Sequence, residues 1–343
     1  DIIEAGFPIS SPGDFQSVNT LAKELKGVTI CGLTRAVAKD IEVAAEALKP
    51  AERPRIHTGL GVSDIHLEKK LHMTREQALE AGVAAVKLAR KYTDDVEYYM
   101  EDSGRADPEY VYRVAEAVIE AGATVLNVPD TTGYKYPDEY MNLHKGILEN
   151  VPNADKTILS CHCHNDLGMA TANTLAGVLG GARQVEVTIN GIGERAGNTA
   201  LEEVVTAMKI REDLFNVYTN IKHQKLLAVS RLVSQITGMM VQRNKAVVGA
   251  NAYAHSSGIH QDGVLKDRLT YEIIAPEMVG AERSEIILTA RSGRHGLRHQ
   301  LAEMGFSFPE DRFERLYEEF LKVADSKKEV SREDLAQLVD AVK

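Results

Sequence analysis

Three observations predict an α/β chain built on a (β/α)8 barrel. Short β-branched runs alternate with helical patterns up to residue 211. Several of those runs end in polar residues, Glu101, Asp130-Thr131, His162 with His164, and Asn190, where a parallel barrel carries its chemistry. No GxGxxG follows the first run and no P-loop is present, so nothing marks an open nucleotide-binding sheet. Repeated strand–helix units require a parallel sheet covered on both faces. Seven such units can be read, and the barrel's first strand is expected upstream of Asp1.

The strand runs are IIEAGF (2–7), VTICGLT (28–34), RIHTGLGV (55–62), VEYYME (96–101), TVLNVPDT (124–131), TILSCHCH (157–164) and QVEVTIN (184–190). The helices between them are well punctuated. Thr74 and Gln77 form a capping box. Asp107-Pro108 is an N-cap followed by proline at the first helical position. Tyr110, Val111, Val114, Ala115, Val118 and Ile119 then share one apolar face. From residue 212 the pattern changes. Residues 222–237 read as an amphipathic helix stopped by Gly238. A polar, glycine- and histidine-containing segment follows, GANAYAHSSGIHQDGVLKDR. Two more helices close the chain, one with Phe313, Leu316, Tyr317 and Phe320 on a face, one opened by Ser331 and Asp334. The expected organisation is a catalytic barrel over 1–211, a linker helix with a histidine-containing subdomain over 212–305, and a small helical subdomain over 306–343.

Composition narrows the function. The 343 residues carry a net charge of -10, which argues against nucleic-acid or membrane-surface partners, since both need basic patches. Three cysteines make no disulfide framework and fit a reducing cytoplasm. No signal peptide and no membrane-spanning run can be read.

Two stretches carry chemistry. In TILSCHCHNDLG, side chains two apart on a strand point to one face. His162 and His164 therefore point together, and Cys161 and Cys163 point the other way, under the helices. Two imidazoles so placed are either half of a divalent metal site or hydrogen-bonded core histidines. In NGIGERAGNTALEEV, glycines permit positive φ and close backbone approach to a ligand, and amides near a helix start favour anions. Asn198 is either a helix N-cap or a hard oxygen ligand.

HCHNDLG, GARQVEVTINGIGERAGNTALEEVV and HSSGIHQDGVLK, supported by GFPISSPGDF and NVPDTTGY, together resemble the 2-isopropylmalate synthase family. These are acyltransferases of leucine biosynthesis within the wider homocitrate and citramalate synthase group. The similarity runs from residue 1 to about 343. It implies a divalent metal, with Mg, Mn, Co and Zn left open, on His162, His164, Asn198 and an aspartate of an Arg-Asp-Gly motif on the upstream strand. A chain without that strand is expected to bind metal poorly. The resemblance further implies condensation of acetyl-CoA with 2-oxoisovalerate, followed by thioester hydrolysis. Glu101 and His260 are the implied acid–base pair and Tyr271 an assistant. His57, Ser63 and Thr131 are the implied keto-acid contacts, and Gly191, Gly193, Glu194 and Gly197 face acetyl-CoA. A cytoplasmic homodimer is implied, each linker crossing to its partner's barrel, and relatives often add a leucine-sensing C-terminal domain.

Plainer roles stand beside these: Glu101 as an ion-pair partner of Arg105, His260 as a surface residue, Tyr271 as packing, Thr131 as a turn residue. The alternatives in function are a citramalate, homocitrate or methylthioalkylmalate synthase, a retro-aldol metallolyase, or a non-catalytic binding protein. Leu33, Leu60 and Tyr98 offer an apolar keto-acid pocket, with Arg35 the one additional cation.

Overall fold

A computed structural model describes residues 1–282 and 284–342. The contacts divide the chain into two compact units, 1–220 and 221–343.

The first unit is a single sheet of seven strands in sequence order, β1 (Ile2–Gly6), β2 (Thr29–Leu33), β3 (Pro54–Gly61), β4 (Val96–Glu101), β5 (Val125–Asp130), β6 (Ile158–Cys163) and β7 (Gln184–Glu186). Every neighbouring pair is parallel. The sheet is curled, because side chains from non-adjacent strands meet across its inner face. His57 of β3 lies 2.6 Å from Glu4 of β1. Arg55 of β3 donates to Gln184 of β7 at 2.7 Å, and Gln184 donates to Glu97 of β4 at 2.7 Å. A flat sheet would hold β3 and β7 far apart, strands being about 4.8 Å from neighbour to neighbour.

The helices form as their caps and faces dictate. Helix Arg75–Ala89 carries the full Thr74/Gln77 capping box, and Pro108–Glu120 starts on Asp107 and buries Tyr110, Val111, Val114, Ala115, Val118 and Ile119. They cover the outer sheet face, where Ile30, Ile56, Met100, Leu126 and Leu159 are buried. The apolar keto-acid lining needs correction. Gly82 of helix Arg75–Ala89 leaves room for Tyr98, whose hydroxyl a Cβ there would meet at 2.3 Å. Tyr98 therefore lies on the helix side. Leu60 pairs with Met100 and shares the parity of Ile56, so it too faces the helices. Leu33 keeps the inner parity of Cys31, whose thiol faces Glu4.

In the second unit, helix Leu226–Thr237 ends on Gly238 in a left-handed C-cap at φ 70°. Helix Glu310–Ser326 buries Phe313, Leu316 and Phe320 against Leu297, Leu301 and Leu338. Ser331 and Asp334 exchange hydrogen bonds at the start of the last helix. Among the described residues no helix is long and apolar enough to cross a membrane.

The outer layer makes one pH prediction. His144 of helix Pro137–Asn150 is fully buried behind β6, its Nδ1 3.0 Å from the Tyr140 carbonyl. Burial, opposed by backbone hydrogen bonds, pushes it down to about 4. The unfolded chain takes up that proton near pH ~6.5. The stabilisation is therefore complete above about pH 6.5 and lost as pH falls toward 4, by roughly 3 kcal/mol. Urea unfolding of the protein between pH 7 and 4.5 should show this loss, and His144→Gln should flatten it. Identical pH profiles for the two proteins would reject the assignment.

Candidate active site

Strand β6 ends in the histidine pair. Cys161 and Cys163 are fully buried on its outer face, the Cys161 thiol 3.6 Å from His144. The period of two turns His162 and His164 to the inner face. Their Nε2 atoms lie 2.9 Å apart, close enough for both to reach one ion at about 2.0–2.1 Å each. His162 Nδ1 is 2.8 Å from Glu186 Oε2 on β7, the carboxylate support usual behind a metal-binding imidazole. Burial first, then the neighbouring His162 and Arg195, push His164 down to about 4. Burial would raise Glu186, but the hydrogen bond from His162 and the charge of His57 outweigh it, and it falls to about 2.

The third donor comes from the loop after β7. A turn at Ile189–Gly191 reverses the chain, with Asn190 left-handed at φ 64°. The loop returns so that Asn198 bridges His164 in antiparallel fashion, while the Thr199 N–H donates to the Cys163 carbonyl at 3.1 Å. Two glycines make this possible. A Cβ on Gly197 would meet the Gly191 carbonyl at 2.0 Å, and one on Gly193 would meet Asn198 Oδ1 at 2.4 Å. That Oδ1 is shielded from solvent and accepts no hydrogen bond, which is costly for an amide oxygen without another partner. Asn198 is not a helix cap, since helix Leu201–Ile210 starts on Ala200. Two imidazole nitrogens and an unsatisfied amide oxygen on touching backbone segments suit a divalent ion with mixed N/O ligation. The amides of Gly191, Gly197 and Asn198 are turned inward, to the carbonyls of Thr188, Glu194 and Gly191.

A second cluster sits at the ends of β3 to β5. Asp102 is fully buried, left-handed at φ 64°, and held by an Arg105 fork. Ser63 donates to its carboxylate at 2.5 Å, and its own N–H donates to Thr131 Oγ1 at 2.9 Å. Ser63 and Thr131 are thus brought together on Asp102. Arg105 pairs with Asp102, not with Glu101. Glu101 instead accepts from Lys70 on both oxygens at 2.7 Å. Lys70 and His66 share a π-helical turn, His66–Leu71, a rare element frequent at functional sites. Sequence reasoning missed Asp102, Lys70 and His66.

His57 stands deeper inside. Burial would lower it, but the charges of Glu97 and Glu4 outweigh that and raise it to about 10. Burial, partly offset by His57 and reinforced by Glu186, raises Glu97 to about 8. Glu4, Cys31 and His57, and again His57, Glu97 and Glu186, lie within 4.8 Å of one another. Arg55, beside His57 on β3, donates to Glu97 at 3.1 Å and to Gln184 at 2.7 Å. The charged residues inside runs IIEAGF, RIHTGLGV and VEYYME were the available sign of it.

In the second unit, His260 and Tyr271 stack with ring centroids 4.1 Å apart. Gly263 permits this, since a Cβ there would meet Tyr271 Cε2 at 2.5 Å. His255 of the same motif is paired with Glu272 at 2.9 Å.

The curled parallel sheet, with polar side chains gathered at its strand ends, defines the class, a barrel enzyme. The HMGL-like family model matches residues 1–233, and the homocitrate synthase post-HMGL domain-like model matches 247–328. The chain belongs to the 2-isopropylmalate synthase family. It is 58% identical over 339 residues to a 2-isopropylmalate synthase of Parabacteroides distasonis, covering 99% of this chain and 68% of that one. It is 56% identical to one from Aquifex aeolicus, covering 99% and 65%. The chain thus spans about two thirds of the length of these curated relatives. Among solved structures, a Pseudomonas aeruginosa hydroxymethylglutaryl-CoA lyase superposes with a TM-score of 0.58 at 22% identity, over 69% of this chain and 80% of that one. It shares the barrel fold.

Proposed function

We propose that the chain condenses acetyl-CoA with 2-oxoisovalerate and hydrolyses the thioester, giving 2-isopropylmalate in leucine biosynthesis. The reading rests on one observation above all: the HxH imidazoles and the GERAGN asparagine lie side by side in a member of this enzyme family. His162 Nε2, His164 Nε2 and Asn198 Oδ1 would hold the divalent ion. When bound, it would polarise the keto-acid carbonyl as a Lewis acid; Mn, Mg, Zn and Co all suit the donor set.

The remaining roles belong to the protein. Glu101, at the end of β4, and His260, in the segment 212–305 that we assign as the linker, move the proton of the acetyl methyl, and Tyr271 orients His260 by stacking. His57, inside the barrel, faces the keto-acid carboxylate. Ser63 and Thr131 fix the Asp102 turn beside it. Gly191 to Gly197, with exposed Glu194, form the edge that meets acetyl-CoA. Arg35 is forked onto Asp40 at 2.7 and 3.1 Å, so it is not free to select a second carboxylate. That favours a branched apolar keto acid over 2-oxoglutarate. A homodimer whose linkers cross between barrels would bring His260 to Glu101, and residues 306–343 form the small helical subdomain.

The test is free-thiol release from acetyl-CoA by the full-length protein against a panel of 2-oxo acids, with and without chelator. Fastest turnover with 2-oxoisovalerate, abolished by exhaustive chelation, is expected. Fastest turnover with pyruvate would replace the substrate, and turnover indifferent to chelation would replace the mechanism.

A further inference from the structure

We propose that His66 is a positioning residue behind Glu101: it receives the proton that Glu101 takes up in the condensation and passes it to water. The inference rests on the reading of Glu101 as a base of that reaction.

The chain builds the contact from the end of β3. Gly61 closes that strand and is paired in register with Glu101 of β4. Two residues on, the Ser63 hydroxyl accepts from the His66 N–H at 3.3 Å and donates to Asp102 at 2.5 Å. It thus ties the start of the turn His66–Leu71 to the residue after Glu101. The His66 side chain then lies over Gly61, where a Cβ would meet its Cβ at 2.7 Å and its Nδ1 at 3.0 Å. A larger residue at 61 would push the ring away from Glu101.

The ring stands between two carboxylates. Nδ1 is 3.6 Å from Glu101 Oε2, and Nε2 is 3.6 Å from Asp102 Oδ2. Each carboxylate already has a cation, Lys70 on Glu101 at 2.7 Å and Arg105 on Asp102 at 2.8 Å. Two negative charges balance two positive ones, so the imidazole completes the cluster as a neutral ring with one N–H. Asp102 is fully buried and a fixed acceptor, which places that hydrogen on Nε2. The lone pair of Nδ1 then faces Glu101. Nδ1 is shielded from solvent and has no hydrogen-bond partner, a costly state for a ring nitrogen. An ionised carboxylate only accepts and cannot satisfy it. The partner that Nδ1 lacks appears only once Glu101 carries a proton.

The transfer balances without any further reactant. The acetyl C–H bond breaks, its electron pair staying behind as the enolate and its proton reaching Glu101. The Glu101 O–H bond then breaks in turn, and the proton joins the lone pair of Nδ1. Two flanking carboxylates stabilise the imidazolium. The side chain is 16% exposed, so the ring can release a proton to water and return to its neutral form. Neither neighbour can replace it. Lys70, as an ammonium, has no lone pair, and Asp102 is engaged by Arg105 and Ser63.

The test uses the full-length protein with Mn2+, acetyl-CoA and 2-oxoisovalerate, followed by free-thiol release. His66→Gln keeps a polar side chain over Gly61 but carries no proton, and His66→Ala leaves a notch there. Both should lower kcat by about tenfold or more, with the keto-acid KM and Mn2+ affinity near wild type. Added imidazole should restore turnover to His66→Ala, and pyrazole, a ring of the same shape but a far weaker base, should not. If His66→Ala fails to fold, His66→Gln alone decides. Wild-type kcat in His66→Gln would overturn the relay, as would equal rescue by pyrazole, which would make the ring a space-filler. Glu101→Gln separates this from the parent reading. Impaired Glu101→Gln beside unimpaired His66 variants would remove the relay alone, whereas wild-type kcat in Glu101→Gln would remove both.

Discussion

His162→Ala should lower divalent-metal affinity by more than the roughly 10- to 100-fold expected for Glu186→Gln, which removes only the carboxylate behind the imidazole. The two variants separate a ligand from its support. Glu186 touches His162 through Nδ1 at 2.8 Å, while the Nε2 of His162 faces that of His164 at 2.9 Å. Glu186→Gln leaves Nε2 in place but less firmly oriented. His162→Ala removes one of the three proposed donors. The plainer reading, two hydrogen-bonded core histidines, predicts something else. It predicts a stability loss of about 1–3 kcal/mol for a hydrogen bond broken at a buried acceptor, with metal binding untouched. Calorimetric titration with Mn2+ distinguishes the two. So does melting, since a ligand at 100 times its Kd stabilises the fold by about 2.7 kcal/mol. Wild type should gain melting temperature on adding Mn2+ and His162→Ala should not. An equal gain in both proteins would return the pair to the core.

The fold was readable because its signals are local. The run VEYYME is strand β4 to the residue, Val96–Glu101, and the Thr74, Asp107 and Gly238 punctuation all act as caps. The one long miss is the last run of the barrel, 184–190, whose strand stops at Glu186. There the return of the loop takes over, with the Thr188 carbonyl receiving the Leu201 N–H at 2.9 Å, a contact that strand propensity does not encode. The inward pair of histidines followed from the period of two. The same rule, applied to β3 and β4, would have corrected the apolar lining: with His57 inside, Leu60 three residues on must face out, and with Glu101 inside so must Tyr98. Arg195, Glu186 and Asp102 were not readable in that way. Their roles come from contacts 24 to 64 residues apart in sequence, set by how strands and returning loops converge.

Glu101→Gln should reduce kcat by about 100- to 10,000-fold, the range that one positioned acid–base group supplies, while leaving Mn2+ affinity and the keto-acid KM near wild type. The carboxylate sits at the mouth end of β4, paired in register with Gly61, where a Cβ would meet the His66 side chain at 2.7 Å. Glycine at 61 thus lets the His66–Leu71 turn approach closely enough for Lys70 to hold both Glu101 oxygens at 2.7 Å. Magnitude decides between the chemical and the structural account. Lys70 is 53% exposed and Glu101 25%, and such a pair is worth about 0–1 kcal/mol. If Glu101 existed only to pair with Lys70, Glu101→Gln would change kcat by no more than about fivefold and melting by a degree or two. Lys70→Met gives the complementary measurement. It keeps the carboxylate and removes its clamp, so kcat should fall by about tenfold, the scale of a small misplacement rather than of a missing group. Loss of activity in Lys70→Met as large as in Glu101→Gln would move the chemistry to the lysine. A kcat near wild type in Glu101→Gln would leave the ion pair as the residue's whole role.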